Sequence, residues 1–388
     1  MAPAIYPDQM GTEFSGSGIV DWNNTGGFQQ GDEKTLVLIY TAAGGTSFWS
    51  KDQPFTQCIA YSTDKGRTWT KYSGNPVLPH IIAENRDPKV VWYEPSRKWI
   101  MALFLDGNKF GLFTSDDLKS WTQIQEITIK NGAECPDFFE IPLDGDQEKM
   151  KWVLTAANGR FLMGSFDGEQ FTPETESYPS EWGENYYAVQ SYSDIQDGRR
   201  IQVGWMNGSE FKGMPFNQQF AFPRELTLKT TREGIRLCGV PAREIETIHG
   251  KKQSWNNLTV KPEDNLLSAL QGELYHIVSE FTINKNAAME FGFNLRGFEV
   301  LYNTQNGMIT AHRPTDNAVS EVKLLPEEGK IRIEILLDRA SVEIYANNGE
   351  VPMGFFYLPE DENKQLSLVC KGGNILLNSM DVYELKSI

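Results

Sequence analysis

A unit of four short strands repeats along the first half of the sequence, and this repeat limits the possible folds more than any other feature. Runs of β-branched and aromatic residues alternate with turns rich in Gly, Asn and Asp. The first unit is predicted to have strands over 14–20, 35–41, 56–62 and 68–72. The pattern returns over 89–124 and 138–173. The aromatic residue that closes each outer turn moves from 69 to 121 to 171, steps of 52 and 50 residues. Such a unit is typical of a β-propeller blade.

A fourth unit follows, and after it the pattern changes. Its predicted strands span 186–190, 201–206, 219–222 and 226–229. From residue 251 the strands are longer and lack the blade period, which predicts an antiparallel β-sandwich. These strands span 274–283, 288–295, 299–303, 330–337, 341–346 and 365–370. The sequence therefore predicts an all-β protein with a propeller over 1–235, a connector over 236–250 and a sandwich over 251–388. A short helix is predicted over 241–248 in the connector.

Charge and cysteine content restrict the partners. The net charge of −16 argues against nucleic acid and against an anionic membrane, so a neutral partner fits best. No stretch approaches the roughly 18 apolar residues of a membrane helix. The cysteines at 58, 135, 238 and 370 have no C-x-x-C spacing, which predicts buried free thiols and no metal site. No cofactor is predicted. Aromatic residues make up 12% of the chain and could stack on sugars.

Two short acidic stretches lie at equivalent points of the second and third units. Glu84-Asn85-Arg86-Asp87-Pro88 and Ala133-Glu134-Cys135-Pro136-Asp137 each precede the first strand of their unit. Glycoside hydrolysis needs one carboxyl group that donates a proton and another that stays ionised beside the sugar. A single Asp-Pro at a strand start is also typical of a turn. The recurrence at equivalent points favours a site over two unrelated turns.

The chain resembles glycoside hydrolase family 32, the family of invertases, inulinases and levanases, over essentially its whole length. The matching motifs are Phe14-Ser15-Gly16-Ser17, Arg86-Asp87-Pro88, Glu134-Cys135-Pro136-Asp137, Gly204-Trp205-Met206, Pro223-Arg224-Glu225-Leu226 and Asp338-Arg339-Ala340-Ser341-Val342-Glu343. Residues 59–62 and 72–76 resemble the levanase and exo-inulinase branch more than sucrose-6-phosphate hydrolases. The resemblance implies hydrolysis of β-fructosidic bonds in levan, inulin or sucrose by a retaining mechanism. It also implies export to the cell exterior or the periplasm, although Met1-Ala2-Pro3-Ala4-Ile5 shows no signal peptide.

The resemblance implies catalytic roles for three residues. Glu134 matches the general acid/base, whose pKa must be high enough for it to carry a proton at the working pH. Asp87 matches the aspartate that holds two fructosyl hydroxyls and stabilises the transition state. Arg86 would orient the charge beside them.

Further residues are candidates for binding the sugar. Phe14 and Ser15 match family contacts to bound fructose, and Trp49 and Trp205 are candidates for stacking on it. Core packing is the alternative for Phe14 and Trp205. Asn185 stands where levanase-type relatives tend to have an aspartate, which argues against a polar sugar contact there.

The nucleophile segment of the family is the main departure. In family members the first of five blades carries a Trp-Met-Asn-Asp-Pro-Asn-Gly-like segment with the nucleophilic aspartate. These 388 residues contain no such segment and four visible blades, which predicts a family member without its first blade. Two functions remain open: a truncated retaining fructan hydrolase, or a non-catalytic fructan-binding remnant. A sialidase-like propeller is disfavoured by the acidic charge and the motif order. If the chain alone were active, Asp8 and Asp21 would be the first replacement nucleophiles to examine.

Overall fold

The fold is all-β, with β-propeller blades followed by a β-sandwich. The computed structural model describes residues 3–208, 216–284, 287–359 and 363–386. The chain divides into two compact units, Met1–Pro179 with Ala188–Arg200 and Ser180–Tyr187 with Ile201–Ile388. The helices of the described residues are the 3₁₀ helices Phe48–Ser50 and Arg243–Ile248. Neither is long and apolar enough to span a membrane.

Three antiparallel four-stranded meanders make up most of the first unit. The first comprises β1 (Thr12–Asp21), β2 (Thr35–Ala43), β3 (Thr56–Ser62) and β4 (Thr70–Lys71). The second comprises β5 (Arg86–Tyr93), β6 (Lys98–Asp106), β7 (Lys109–Ser115) and β8 (Thr122–Thr128). The third comprises β9 (Asp137–Leu143), β10 (Asp146–Thr155), β11 (Arg160–Phe166) and β12 (Phe171–Pro173), with β13 (Tyr178–Pro179) also paired to β11. The first three predicted quartets are confirmed. β8 and β10, which were predicted over 121–124 and 151–156, are longer than predicted.

The outer turn is closed by the same kinds of hydrogen bond in successive blades. Asp64, Asp117 and Asp167 each accept hydrogen bonds from backbone N–H groups two to four residues later, as turn aspartates commonly do. The indoles of Trp69 and Trp121 donate to carbonyl oxygens three residues earlier, at 3.1 and 3.2 Å. The residues that mark the repeat in the sequence are therefore the ones that close the turn.

Separate apolar cores lie between neighbouring blades. The core between the first and second blades includes Ile39, Val90 and Trp99. The core between the second and third includes Phe138 and Trp152, whose rings lie 4.5 Å apart. Burial of both faces of the middle blade fixes the order of the blades, so the innermost strands β1, β5 and β9 follow one another around the unit.

The strands of the fourth predicted quartet are present, and the boundary between the compact units falls within them. They are β14 (Tyr187–Ser191), β15 (Arg200–Met206), β16 (Gln219–Phe220) and β17 (Arg224–Thr231). β18 (Gly234–Pro241) pairs with β17 in the region predicted as a connector, and the predicted short helix is the 3₁₀ helix Arg243–Ile248. The predicted domain boundaries at 235 and 250 remain predictions.

Two antiparallel sheets form the sandwich of the second unit. Its strands are β19 (His249–Val260), β20 (Tyr275–Thr282), β21 (Glu290–Leu295), β22 (Phe298–Asn303), β23 (Met308–Arg313), β24 (Ala318–Lys323), β25 (Lys330–Leu337), β26 (Ser341–Ala346), β27 (Val351–Phe356), β28 (Leu366–Lys371) and β29 (Ile375–Leu385). One sheet has the order β19-β29-β20-β25-β26-β27, the other β24-β23-β22-β21-β28. The sequence did not predict β18, β19, β23, β24, β27 or β29. β19 and β24 are edge strands with many exposed side chains, so they lack the apolar alternation that marks a strand.

A buried ionic cluster holds part of the second unit together. Arg224 Nη1 lies 2.5 Å from Glu181 Oε2, and Arg224 Nη2 lies 3.5 Å from Glu343 Oε2. The guanidinium also lies 3.7 Å from the centre of the Tyr186 ring. Tyr345 donates its hydroxyl to Glu343 Oε2 at 2.8 Å. The cluster joins two segments that the sequence analysis singled out separately, the Pro223-Arg224-Glu225-Leu226 motif and the one ending at Glu343.

Candidate active site

Arg86 brings the two proposed catalytic carboxylates together. Its Nη2 lies 2.5 Å from Glu134 Oε1, and its Nε lies 3.9 Å from Asp87 Oδ2. Asp87 is the second residue of β5, and Glu134 lies three residues before β9. Because β5 and β9 are the innermost strands of successive blades, equivalent positions at their starts meet at the same end of the unit. The structure therefore places Arg86, Asp87 and Glu134 in one cluster.

A buried polar chain fixes the backbone of Asp87. The Asp87 N–H donates to Thr41 Oγ1 at 3.1 Å, and the Thr41 hydroxyl donates to Gln57 Oε1 at 2.7 Å. Gln57 Nε2 in turn donates to the Asn85 carbonyl at 3.1 Å. Thr41 and Gln57 are fully buried. Neither residue was predicted from the sequence, because a Thr and a Gln within strands look like ordinary strand residues until the fold places them beside Asp87.

Cys135 connects the two acidic stretches directly. Its N–H and its Sγ both donate to Asp87 Oδ2, at 3.1 and 3.4 Å. Asp87, Glu134 and Cys135 have φ angles of 62°, 49° and 36°, in the left-handed region that side chains other than Gly seldom adopt. Such conformations cost of order 1–3 kcal/mol each and concentrate at functional sites. The hydrogen bonds to Asp87 hold this strained turn in place.

Burial raises the pKa of Asp87 above its usual value, and the hydrogen bonds from Cys135 and the charge of Arg86 offset part of that increase. Burial also raises the pKa of the Cys135 thiol, so the thiol stays protonated and continues to donate to Asp87. An ionised Asp87 is therefore destabilised by its surroundings relative to water. An uncharged side chain at this position would therefore give a more stable fold.

Asp87→Asn is expected to raise the melting temperature at pH 7 by about 2–4 °C. Because the folded-state pKa is raised, the Asp87 contribution to stability is fully present below its unfolded pKa of about 3.9 and is lost as the pH rises through the folded pKa. The gain should therefore vanish near pH 3. Asparagine also tolerates a positive φ. Thermal unfolding of both proteins from pH 3 to 7 measures the difference in melting temperature.

Asp64→Asn provides a control of opposite sign. Hydrogen bonds from Thr68 lower the pKa of Asp64 to about 2, so its contribution is present at pH 7 and lost as the pH falls through that value. This variant should melt lower than the wild type at pH 7. An Asp87→Asn protein that melts below the wild type at pH 7 would contradict the proposed penalty.

A buried ion pair lies behind the site. Lys89 Nζ lies 3.1 Å from Asp137 Oδ1 and donates to the Ser191 carbonyl at 2.6 Å. The Ser191 N–H donates to Asp137 Oδ2 at 2.6 Å. Lys89 and Asp137 follow Asp87 and Glu134 by two and three residues, so this pair ties together the two strands that carry the site. Asp137 belongs to the Glu134-Cys135-Pro136-Asp137 motif, but no role was predicted for it.

Phe14 and Ser15 lie at the same end of the inner strands. Ser17 Oγ donates to the Pro88 carbonyl and accepts from the Val90 N–H, both at 3.0 Å, so the start of β1 lies beside the start of β5. A bulge between residues 13 and 16 interrupts the pairing of β1 with β2 and leaves Phe14 and Ser15 exposed. The Phe14 ring packs edge-on against Phe55 at 5.7 Å. A core role for Phe14 does not fit its 41% exposure.

Gly16 allows this bulge to form. A Cβ at residue 16 would lie 1.9 Å from the Ile39 carbonyl oxygen, which no real contact permits. Gly16→Ala should therefore force β1 away from β2 and destabilise the protein by about 1–3 kcal/mol. Gly18→Ala is the matched control, because the nearest neighbour of its added Cβ would be 3.5 Å away. Thermal unfolding compares them, and equal melting temperatures would contradict the steric argument.

The two tryptophan candidates lie in different units. Trp49 is 66% exposed in the 3₁₀ helix Phe48–Ser50. Its loop is tied to the start of β1 by a 2.9 Å hydrogen bond from Thr46 to Thr12. Trp205 belongs to β15 of the second unit, where it is 36% exposed and packs edge-on against Tyr187. Trp49 thus lies near the start of β1, whereas the contact of Trp205 with Tyr187 lies within the second unit.

Asn185 is engaged by protein groups of the second unit. Its Nδ2 donates to the Asn207 carbonyl at 2.7 Å, and its Oδ1 accepts from Arg313 Nη1 at 2.9 Å and from the Phe356 N–H at 3.0 Å. Both ends of the amide are therefore used within the fold. The role of Asn185 toward a sugar stays a prediction.

Asp21 and Asp8 also have protein partners. Asp21 is fully buried at the far end of β1, where its carboxylate accepts from the N–H groups of Thr25 and Gly26 at 2.9 and 2.8 Å. Asp8 Oδ2 lies 2.7 Å from Lys71 Nζ. The position of Asp21 argues against it as a nucleophile. Among the described residues, no group of three or more His, Cys, Asp or Glu side chains could hold a metal ion.

Comparison with known families decides how the chain is classified. Residues 1–240 match the glycosyl hydrolases family 32 N-terminal domain, and residues 244–384 match the family 32 C-terminal domain. The chain belongs to glycosyl hydrolase family 32. The family 32 assignment agrees with the motif set and with the all-β fold.

The similar proteins include two levanases and an exo-inulinase. A levanase of Bacillus subtilis is 38% identical over 99% of this chain and 62% of its own length. A levanase of Bacillus sp. strain L7 is 31% identical over 100% of this chain and 47% of its own length. The chain therefore spans less than two thirds of these two levanases. The crystal structure of an exo-inulinase from Aspergillus awamori superposes with a TM-score of 0.86 at 27% identity, covering 97% of this chain and 84% of that one.

Proposed function

We propose that this family 32 chain hydrolyses β-fructosidic bonds in fructans such as levan and inulin, or in sucrose. The observation that carries the proposal is the contact of Arg86 with both Asp87 and Glu134 at the starts of two successive inner strands. Two carboxyl groups in different surroundings are what glycoside hydrolysis requires. The names of the similar proteins, levanase and exo-inulinase, support fructan as the substrate class.

Each residue has a proposed part in the reaction. Glu134, 31% exposed and within reach of water, protonates the departing glycosidic oxygen and then removes a proton from the attacking water. Asp87, held by Cys135 in a strained turn, accepts hydrogen bonds from two fructosyl hydroxyls. Arg86 contacts both carboxyl groups and orients them. The exposed Phe14 forms an apolar wall against the sugar ring.

Three further residues have proposed contacts with the substrate. Ser15 lies in the bulge beside Phe14 and offers a hydroxyl to the sugar. Trp49 is proposed to contact the next sugar unit from its loop. Trp205 is the proposed stacking residue of the second unit. A retaining mechanism further requires a carboxylate that attacks the anomeric carbon to form a fructosyl-enzyme intermediate.

A fructan-binding role without turnover is the second candidate. In this role the cluster of Arg86, Asp87 and Glu134 would hold fructan without a carboxylate that attacks the anomeric carbon. Fructose release from levan, inulin and sucrose distinguishes the two. The assay compares the chain alone with the same chain preceded by the first blade of a levanase. Turnover by either protein supports hydrolysis, whereas binding of fructan by both without turnover supports the second candidate.

A further inference from the structure

A second groove lies at the far end of the inner strands of the first unit, away from Asp87 and Glu134. A cavity of about 390 Å³ adjoins one of about 250 Å³. The two share Val91, Trp92 and Arg200 in their linings and together make up this groove. Its larger part falls within the 300–1,000 Å³ typical of small-molecule sites. We call it the far-end groove and define it by Trp22, Trp92, Tyr93, Glu140, Asp194 and Arg200.

Aromatic rings held in fixed orientations line the far-end groove. Trp22 is 52% exposed, and its indole N–H donates to Asp194 Oδ1 at 3.0 Å. The Trp92 indole N–H donates to Glu94, and its ring packs edge-on against buried Trp99 at 4.9 Å. The indole N–H groups are thus used by the protein, while the ring surfaces remain available to a ligand. Rings fixed in this way lose little conformational entropy when a ligand binds.

Two opposite charges line the same cavity without neutralising each other. Within the part of the chain that the structure describes, the Glu140 carboxylate makes no hydrogen bond or ion pair, and burial raises its pKa. The Arg200 guanidinium lies 4.9 Å from the Phe139 ring centre. Its acceptors are distant, the Tyr192 carbonyl at 3.3 Å and Ser191 Oγ at 3.5 Å. A carboxylate and a guanidinium are therefore both available to a ligand in the groove.

We propose that the far-end groove binds a second stretch of a fructosyl oligosaccharide. A sugar hydroxyl can donate to Glu140 while a neighbouring oxygen accepts from Arg200, and C–H faces of the rings pack on Trp22 and Trp92. An apolar ligand would leave both charges unsatisfied. An anionic ligand would meet Glu140 and a chain of net charge −16. The identity of the sugar rests on the proposed function, and the groove itself rests on the contacts described above.

Binding of inulin oligosaccharides by isothermal titration calorimetry tests the groove. Glu140→Ala should raise the Kd for long oligosaccharides by about tenfold, the size of one lost hydrogen bond to a charged group. Trp22→Ala should raise it by a similar factor through the loss of ring packing on the sugar. Sucrose turnover should stay unchanged, because neither residue contacts the Asp87 cluster. Glu148→Ala, at an exposed position on β10, is the matched control. If Trp22→Ala does not fold, Glu140→Ala and the more conservative Glu140→Gln still test whether the groove binds the oligosaccharide.

The outcomes separate this proposal from the proposed function. Polymer binding that depends on Glu140 in a protein without turnover would support the groove and contradict hydrolysis. Normal turnover with a Kd insensitive to Glu140 and Trp22 would contradict the groove and leave hydrolysis standing. Dextran of similar length serves as a second probe. Equal binding of dextran would overturn the fructosyl identity of the ligand.

Discussion

Glu134→Gln is expected to lower kcat on unactivated fructan by about 10²–10⁴-fold, the usual contribution of a general acid/base. Glutamine keeps the size of the side chain and an oxygen for Arg86 Nη2, which lies 2.5 Å from Glu134 Oε1 in the wild type. It has no proton to give to the leaving oxygen. Fructose binding should therefore remain near the wild-type value. Turnover is measured on inulin and levan, with the first-blade extension if the chain alone is inactive.

Two comparisons show whether the loss reflects proton transfer. An aryl fructoside, whose leaving group needs no proton, should lose much less activity than inulin in the Glu134→Gln protein. The alkaline limb of the pH profile should also change, because it reports the pKa of the acid. Glu148→Gln removes a carboxylate from an exposed position on β10 and should keep full activity. Near-normal turnover of inulin by Glu134→Gln would rule out Glu134 as the acid/base.

The sequence predicted the parts of the fold that depend on local chemistry. Asp64, Trp69 and their counterparts close each outer turn by hydrogen bonds that span two to four residues. The repeat could therefore be predicted without knowledge of tertiary contacts. The meeting of Asp87 with Glu134 was also predictable. Equivalent positions at the starts of the inner strands lie at the same end of successive blades, so the blade repeat alone predicts that they are close.

Other features could not be predicted because they depend on distant contacts. Thr41 and Gln57 support Asp87 from another blade, and neither residue type marks such a role. The far-end groove depends on Glu140 and Arg200, which are 60 positions apart in the numbering and meet only through folding. The edge strand β19 was missed because its side chains are mostly exposed. In each case the deciding information is which residues are neighbours in space.

The ionic cluster around Arg224 is the clearest contact of this kind, since Arg224 and Glu343 are separated by 119 positions. Arg224 is 1% exposed, and its charge faces two buried carboxylates. Glu181 Oε1 also accepts from the N–H groups of Gly183 and Gly354, both at 2.7 Å. The carboxylates are therefore held in place by the backbone and cannot turn away to water if the arginine is lost.

Arg224→Met is accordingly expected to destabilise the protein by about 3–5 kcal/mol, because removing one partner leaves buried charge without compensation. Glu343→Gln should have a much smaller effect. Burial raises the pKa of Glu343, which means that the surroundings disfavour its ionised form, and glutamine keeps an oxygen for the Phe222 N–H. Arg232→Met, at an exposed position in the turn between β17 and β18, is the control. Urea unfolding measures all three. A loss below about 1 kcal/mol in Arg224→Met would show that the cluster is not essential to the second unit.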